Sequence, residues 1–196
     1  MSLFLSMAAF ALAMSISPGP VNIVALSAGA RYGVRASLRH VSGATIGFTA
    51  LLILVGLGLH EVLVRWQWLT LAIQLAGVAF LLYMAYKLAR DDGSLPAGES
   101  SKGPSFFHGA AMQWLNPKAW LACVAGMGAF VASGDVGLLM QFALIYFVIC
   151  YLSVGSWAFA GGFLRRHLSE PRKMRLFNRS MAALLAASAL YLLWTA

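Results

Sequence analysis

Apolar residues run along this chain in long blocks, and polar residues collect in short gaps between them. The blocks cover residues 3–27, 41–59, 69–89, 109–132 and 138–163, with a shorter one at 180–196. A bilayer core about 30 Å thick takes roughly 20 apolar residues wound as a helix, so five blocks reach spanning length. The sixth contains the uncharged run MAALLAASALYLLW, and tilt or local thinning of the bilayer accommodates its shortness. The pattern predicts an all-α integral membrane protein with six transmembrane helices. The opening MSLFLSMAAFALAM has no basic residue ahead of its apolar stretch, which predicts a retained first helix and not a cleaved signal peptide.

The gaps carry an orientation. Arg31, Arg35 and Arg39 fall in the first, Lys87, Arg90 and Lys102 in the third, and Arg165, Arg166, Arg172, Lys173, Arg175 and Arg179 in the fifth. The second holds only Arg65, the fourth holds no Lys or Arg, and Lys118 lies inside a span. Cytoplasmic loops retain Lys and Arg, so the odd gaps are expected inside and both termini outside. The stretch RDDGSLPAGESSKGPS, residues 90–105, is polar and rich in Gly, Ser and Pro, which reads as a flexible cytoplasmic linker. It divides one transmembrane domain, 1–196, into halves 1–89 and 106–196 of three helices each. Three is odd, so the second half enters the membrane inverted relative to the first, an arrangement shared by many secondary transporters.

Composition agrees with the pattern: 61% of the 196 residues are hydrophobic and 10% charged, against about 25% charged in a soluble domain. The net charge of +8 would raise the question of nucleic acid in a soluble protein. Here it sits in the gaps between spans and no RNA- or DNA-binding motif accompanies it. Cys123 and Cys150 both lie in apolar runs, where a thiol acts as a small hydrophobe.

Two motifs interrupt the apolar blocks. The first helix carries Ser17, Pro18, Gly19 and Pro20, with Asn22 just beyond, and the fourth carries Asn116, Pro117 and Lys118. Proline lacks a backbone donor and clashes with the preceding turn, so each motif is expected to break its helix. Irregular backbone at membrane depth persists where it is buried in protein or lines a wet cavity. Each break falls in the first helix of its half, the position that points to a transporter's central site. A freed helix N-terminus attracts a carboxylate and exposed carbonyls suit an ammonium, so the pair fits a zwitterionic amino acid. Gly19 would let backbone approach substrate closely.

Lys118 is the sharpest single candidate. A Lys at the centre of a span costs roughly 2.5 to 3.5 kcal/mol on the lenient insertion scale, and no acid lies within its own helix. It is expected to face Ser17 to Asn22, with freed carbonyls, the Asn116 or Asn22 amide oxygen and a substrate carboxylate as partners. Snorkelling to the interface is the bland alternative. Packing kinks are the corresponding alternative for the prolines.

Other features point less far. Gly43 and Gly47 have the GxxxG spacing of a close helix contact. Trp66, Trp68, Tyr191 and Trp194 lie near span ends, as interfacial anchors do. Trp114 and Trp120 flank the second break and either line a cavity or pack. His60 and Glu61 begin an HExxH, but Val64 stands where the second His belongs, so the zinc reading fails. No GxSxG and no cluster of His and carboxylates falls within the spans, which argues against an intramembrane hydrolase, and no metal or cofactor is expected. The acids Glu61, Asp91, Asp92, Glu99, Asp135 and Glu170 sit in gaps or at helix ends, so no proton relay shows itself.

The order of SPGP, NIVALSAGARYGVRASLRHVSGATIGF, FLLYMAYKLAR and FFHGAAMQWLNPKAW within six spans resembles the LysE/RhtB superfamily of bacterial amino-acid exporters over nearly the whole chain. NIVALSAGARYGVR and WAFAGGFLRRHL look closest to its cysteine/O-acetylserine branch. The resemblance implies secondary-active efflux of neutral or basic amino acids or derivatives, coupled by antiport to the proton gradient. It leaves assembly as a homodimer open. Val21 stands after SPGP where Asn or Asp is usual, and Phe48 stands where many relatives have Asp. Both changes remove polarity near the expected site and favour a small neutral substrate, cysteine- or O-acetylserine-like, or another such as threonine or homoserine. A passive channel and an accessory subunit of a larger complex are the competing classes.

Overall fold

A computed structural model describes residues 2–94, 103–131 and 134–194, and every regular element among them is a helix. The calls made on Glu99, Lys102 and most of the 90–105 linker lie outside the described residues. In chain order the helices are α1 Leu3–Ile16, α2 Pro20–Tyr32, α3 Val34–Leu54, α4 His60–Arg65, α5 Gln67–Ala89, α6 Phe106–Trp114, α7 Pro117–Phe130, α8 Val136–Leu164 and α9 Pro171–Trp194. A wider π-type turn, Val55–Leu59, extends α3 and is kinked at Gly58, whose φ of 108° only glycine adopts readily.

Four helices, α3 with its extension, α5, α8 and α9, are long and apolar enough to cross a bilayer; α1 and α2 form a fifth candidate, bent by 62° at their junction. The pieces of the second interrupted block, α6 with 9 residues and α7 with 14, are each shorter than a span.

Three expectations need correction. The first gap is not a loop. α2 runs to Tyr32 and α3 starts at Val34, with Gly33 at φ 83° as the whole connection, so Arg31, Arg35 and Arg39 sit on helix ends. The final helix is not short: it begins at Pro171, where a missing N–H costs nothing, and its 24 residues carry Arg172 to Arg179 on their opening turns. The linker also starts in order, with Asp91 and Asp92 accepting from the amides of Gly93 and Ser94. The Ser94 hydroxyl bond and then its amide bond hold the Asp92 carboxyl below its ordinary value.

Small residues set the packing. α2 lies on α8, α3 on α6 and α8, α1 on α8, and α5 on α9. A Cβ at Gly43 would overlap the Phe106 carbonyl and one at Gly47 would press on Ala110. The GxxxG pair therefore brings α3 against α6 within one chain, as small residues do where lipid supplies no hydrophobic drive between helices. The ends that carry basic residues gather on one side. Arg31 of α2 pairs with Asp91 beyond α5, Arg165 lies beside Gly33, and Arg175 lies beside Gly93. Side chains such as Leu144, Leu152, Phe159 and Phe163 of α8 stay exposed, which suits a face turned to lipid.

Candidate functional site

At the end of α1 the chain runs extended through Ser17 and Gly19 before Pro20 opens α2. This leaves the last carbonyls of α1 without helical partners. Each of four consecutive carbonyls meets a side-chain donor instead. The Ser17 hydroxyl donates to Met14 O at 3.2 Å, and Trp157 Nε1 of α8 donates to Ile16 O at 3.0 Å. Asn22 Nδ2 donates to Ser15 O and to Ser17 O, both at 2.9 Å. Lys118 Nζ donates to Ser17 O at 3.1 Å and to Ser17 Oγ at 2.7 Å. An ammonium at a helix C-terminus also lies at the negative end of the helix dipole, so α1 itself supplies counter-charge, and among the described residues no acid pairs with the ammonium.

The second break is built differently. Asn116 caps α7, its Oδ1 accepting from the Lys118 amide at 3.2 Å, and Pro117 takes the first helical position, where its missing N–H is harmless. The Trp114 carbonyl accepts from Trp120 Nε1 at 2.7 Å, and Trp114 Nε1 donates to Gly47 O at 3.1 Å. The two indoles meet edge to face. Both belong to the packing that fixes the break, and neither lines the cavity beside it.

The structure thus brings Lys118 onto the first break, 101 residues away in sequence. Its ammonium partners are a freed carbonyl and the Ser17 hydroxyl. The amide oxygens of Asn22 and Asn116 are not its recorded partners: Asn22 turns its donor to the same carbonyl, and Asn116 caps a backbone amide. Gly19 has φ −166°, extended backbone open to any residue, so its value lies in room. A Cβ there would sit 3.5 Å from Lys118 Nζ and shield the ammonium. Pro18 is exposed and Pro117 half-buried, while Pro20 is buried.

A cavity of about 40 Å³ lies beside the breaks, and of the sequence-predicted residues it is lined by Gly19, Asn22, Asn116 and Lys118. Ser17 and the three prolines shape the backbone around it without lining it. Sequence reasoning missed Ser15, Gln113, Tyr146 and Cys150, which line the cavity together with Val21, Phe48 and several apolar residues. The Phe48 ring stacks on Tyr146 at 4.3 Å, an aromatic pair within the cavity wall. This volume admits water but falls far below the roughly 300 Å³ of a small-ligand pocket. Among the described residues no cluster of His, Cys, Asp and Glu could hold a metal ion.

Helices apolar enough to span a bilayer, one candidate broken at Ser17 to Pro20, with a half-buried lysine held on that break, define a multi-pass membrane protein with a polar centre. The sequence pattern of LysE type translocators matches residues 12–196, and the chain belongs to that family. It is 29% identical over 186 residues to the cysteine/O-acetylserine efflux protein of Klebsiella pneumoniae, covering 93% of this chain and 90% of that one. The protein of the same name from Escherichia coli K12 is 29% identical over 191 residues, 93% of this chain and 91% of that one. Its counterpart in Salmonella typhimurium is 26% identical over 187 residues, with the same coverage. No solved structure matches the chain.

Proposed function

We propose that this protein is a secondary-active exporter of small neutral amino acids, working by alternating access around the two breaks. The observation that carries the reading is the Lys118 ammonium held on Ser17 beside a polar cavity. Desolvated charge of this kind inside a membrane protein marks a pathway or binding site. The ammonium would take the substrate carboxylate, the carbonyls of the α1 end would take its ammonium, and the Phe48 and Tyr146 rings leave space only for a short side chain. Relatives named for cysteine and O-acetylserine support that class; threonine and homoserine have the same size and polarity. The energy would come from proton antiport or from the membrane potential.

Six spans in two inverted halves fit this reading, with α6 and α7 as the broken counterpart of α1 and α2. The packing of α3 on α8, of α5 on α9, and of α3 on α6 beside α8 on α1 supports it. Overexpression should raise the exported compound several-fold in the medium relative to cells lacking the protein. A medium with no change in any amino acid or derivative would overturn the proposal.

The bacterial inner membrane, with both termini periplasmic, is part of the same reading, since twelve of the fourteen Lys and Arg lie on one side of the expected topology. Alkaline phosphatase fused after Trp194 should be active. An inactive fusion, paired with activity of a cytoplasmic reporter at that position, would reverse the orientation.

A further inference from the structure

A second and larger cavity, about 480 Å³, opens among the ends of the helices that carry the basic residues. Its size is that of a small-ligand site. It is lined from α2 by Val24, Ser27 and Arg31, from the α5 end by Lys87 and Asp91, and from α6 by His108. α2 and α6 line the central cavity as well, through Asn22 and Gln113, so the two spaces are stacked along the same pair of helices.

The polar groups here are poorly satisfied by the protein itself. Arg31 pairs with Asp91 while their side chains keep only 22% and 10% exposure. Arg31 Nε is buried with no hydrogen-bond partner among the described residues, and so is Ser27 Oγ, on a residue 7% exposed. Burying such donors unpaired costs free energy, and a guanidinium presents its Nε and Nη donors as a fork matched to a carboxylate. An opposed cation and anion on a cavity wall are the complement of a zwitterion.

We propose that this cavity is an inner loading site for free α-amino acids. Arg31 exchanges Asp91 for the substrate carboxylate through its Nε and Nη donors, Asp91 takes the substrate ammonium, and Ser27 donates to the carboxylate from the next turn of α2. Lys87 adds positive potential at the rim. The inference rests on the exporter reading and extends it with a site distinct from the central breaks.

The test uses the full-length protein in vesicles sealed with the basic face outward and in vesicles of the opposite orientation, with O-acetylserine and cysteine as probes and a carboxylate lacking the amino group as competitor. Arg31→Gln and Asp91→Asn should each raise the half-saturating concentration about tenfold or more at the basic face, the loss of one charge-assisted bond, and leave it unchanged at the other face. Wild type should prefer the amino acid to the competitor, and Asp91→Asn should lose that preference. If Arg31→Gln does not insert, Arg31→Lys carries the arm: it keeps the charge, lacks the fork and should weaken binding less. Unchanged half-saturation and competitor preference at the basic face would make Arg31–Asp91 a structural ion pair and overturn the site. Transport of no amino acid by the wild type would sink the exporter reading, and the loading site with it.

Discussion

Lys118→Ala is expected to remove export while expression and membrane insertion stay at wild-type levels. The ammonium makes two bonds to Ser17, and a charged hydrogen bond contributes about 1.5 to 3 kcal/mol. If that strength is transferred to a substrate carboxylate, its loss weakens binding by roughly tenfold to a hundredfold. Insertion should not suffer, because deleting a charge from a span relieves a cost. Lys118→Arg should be partly active: the charge stays, but a planar fork does not fit the single point where Ser17 O and Oγ converge. Efflux rate against internal substrate concentration checks both variants. Wild-type kinetics in Lys118→Ala would leave the lysine as a structural pin of the first break.

Asn22→Leu should produce the second large effect, on stability as well as export. Asn22 is 4% exposed, and its amide holds Ser15 O and Ser17 O. Leucine leaves Ser15 O without its donor, at about 1 to 3 kcal/mol for the unsatisfied group, and strips Ser17 O of one of its two donors, the Lys118 bond remaining. The expected result is a clearly lower thermal midpoint in detergent and at least a tenfold loss of export. Asn22→Ser, which keeps one short donor, should fall between. A wild-type midpoint for Asn22→Leu would show that the α1 end needs no such cap.

Much of this site was legible in the sequence because its causes are local. Proline breaks helices wherever it stands, and a lysine amid apolar residues must find partners, so SPGP, NPK and Lys118 declared themselves. The partner Ser17 was within reach of the same reasoning. What could not be read was set by packing. Trp157 caps Ile16 O across 141 residues, and its indole looks like any other in an apolar run. Tyr146, Cys150 and Gln113 line the cavity only because α8 and α6 turn those faces inward. The orphaned Arg31 donor likewise depends on where the α5 end delivers Asp91.

Helix boundaries failed for a related reason. Arg31, Arg35 and Arg39 pulled the reading toward a loop, yet arginine is a good helix former, and Gly33 alone turns the chain from α2 into α3. Pro171 at the start of α9 was a readable signal. It was masked by the basic run that follows, where polarity marked the membrane edge and not the end of the helix.

A channel and a scaffold are the readings against which the proposed carrier is to be tested. Counterflow in proteoliposomes of the purified protein tests the central claim most directly. Vesicles loaded with unlabelled O-acetylserine or cysteine and diluted into a trace of labelled substrate should show a transient, saturable overshoot of label that Lys118→Ala abolishes. Label that equilibrates without overshoot, with currents linear in voltage, or no movement of label at all, would contradict it.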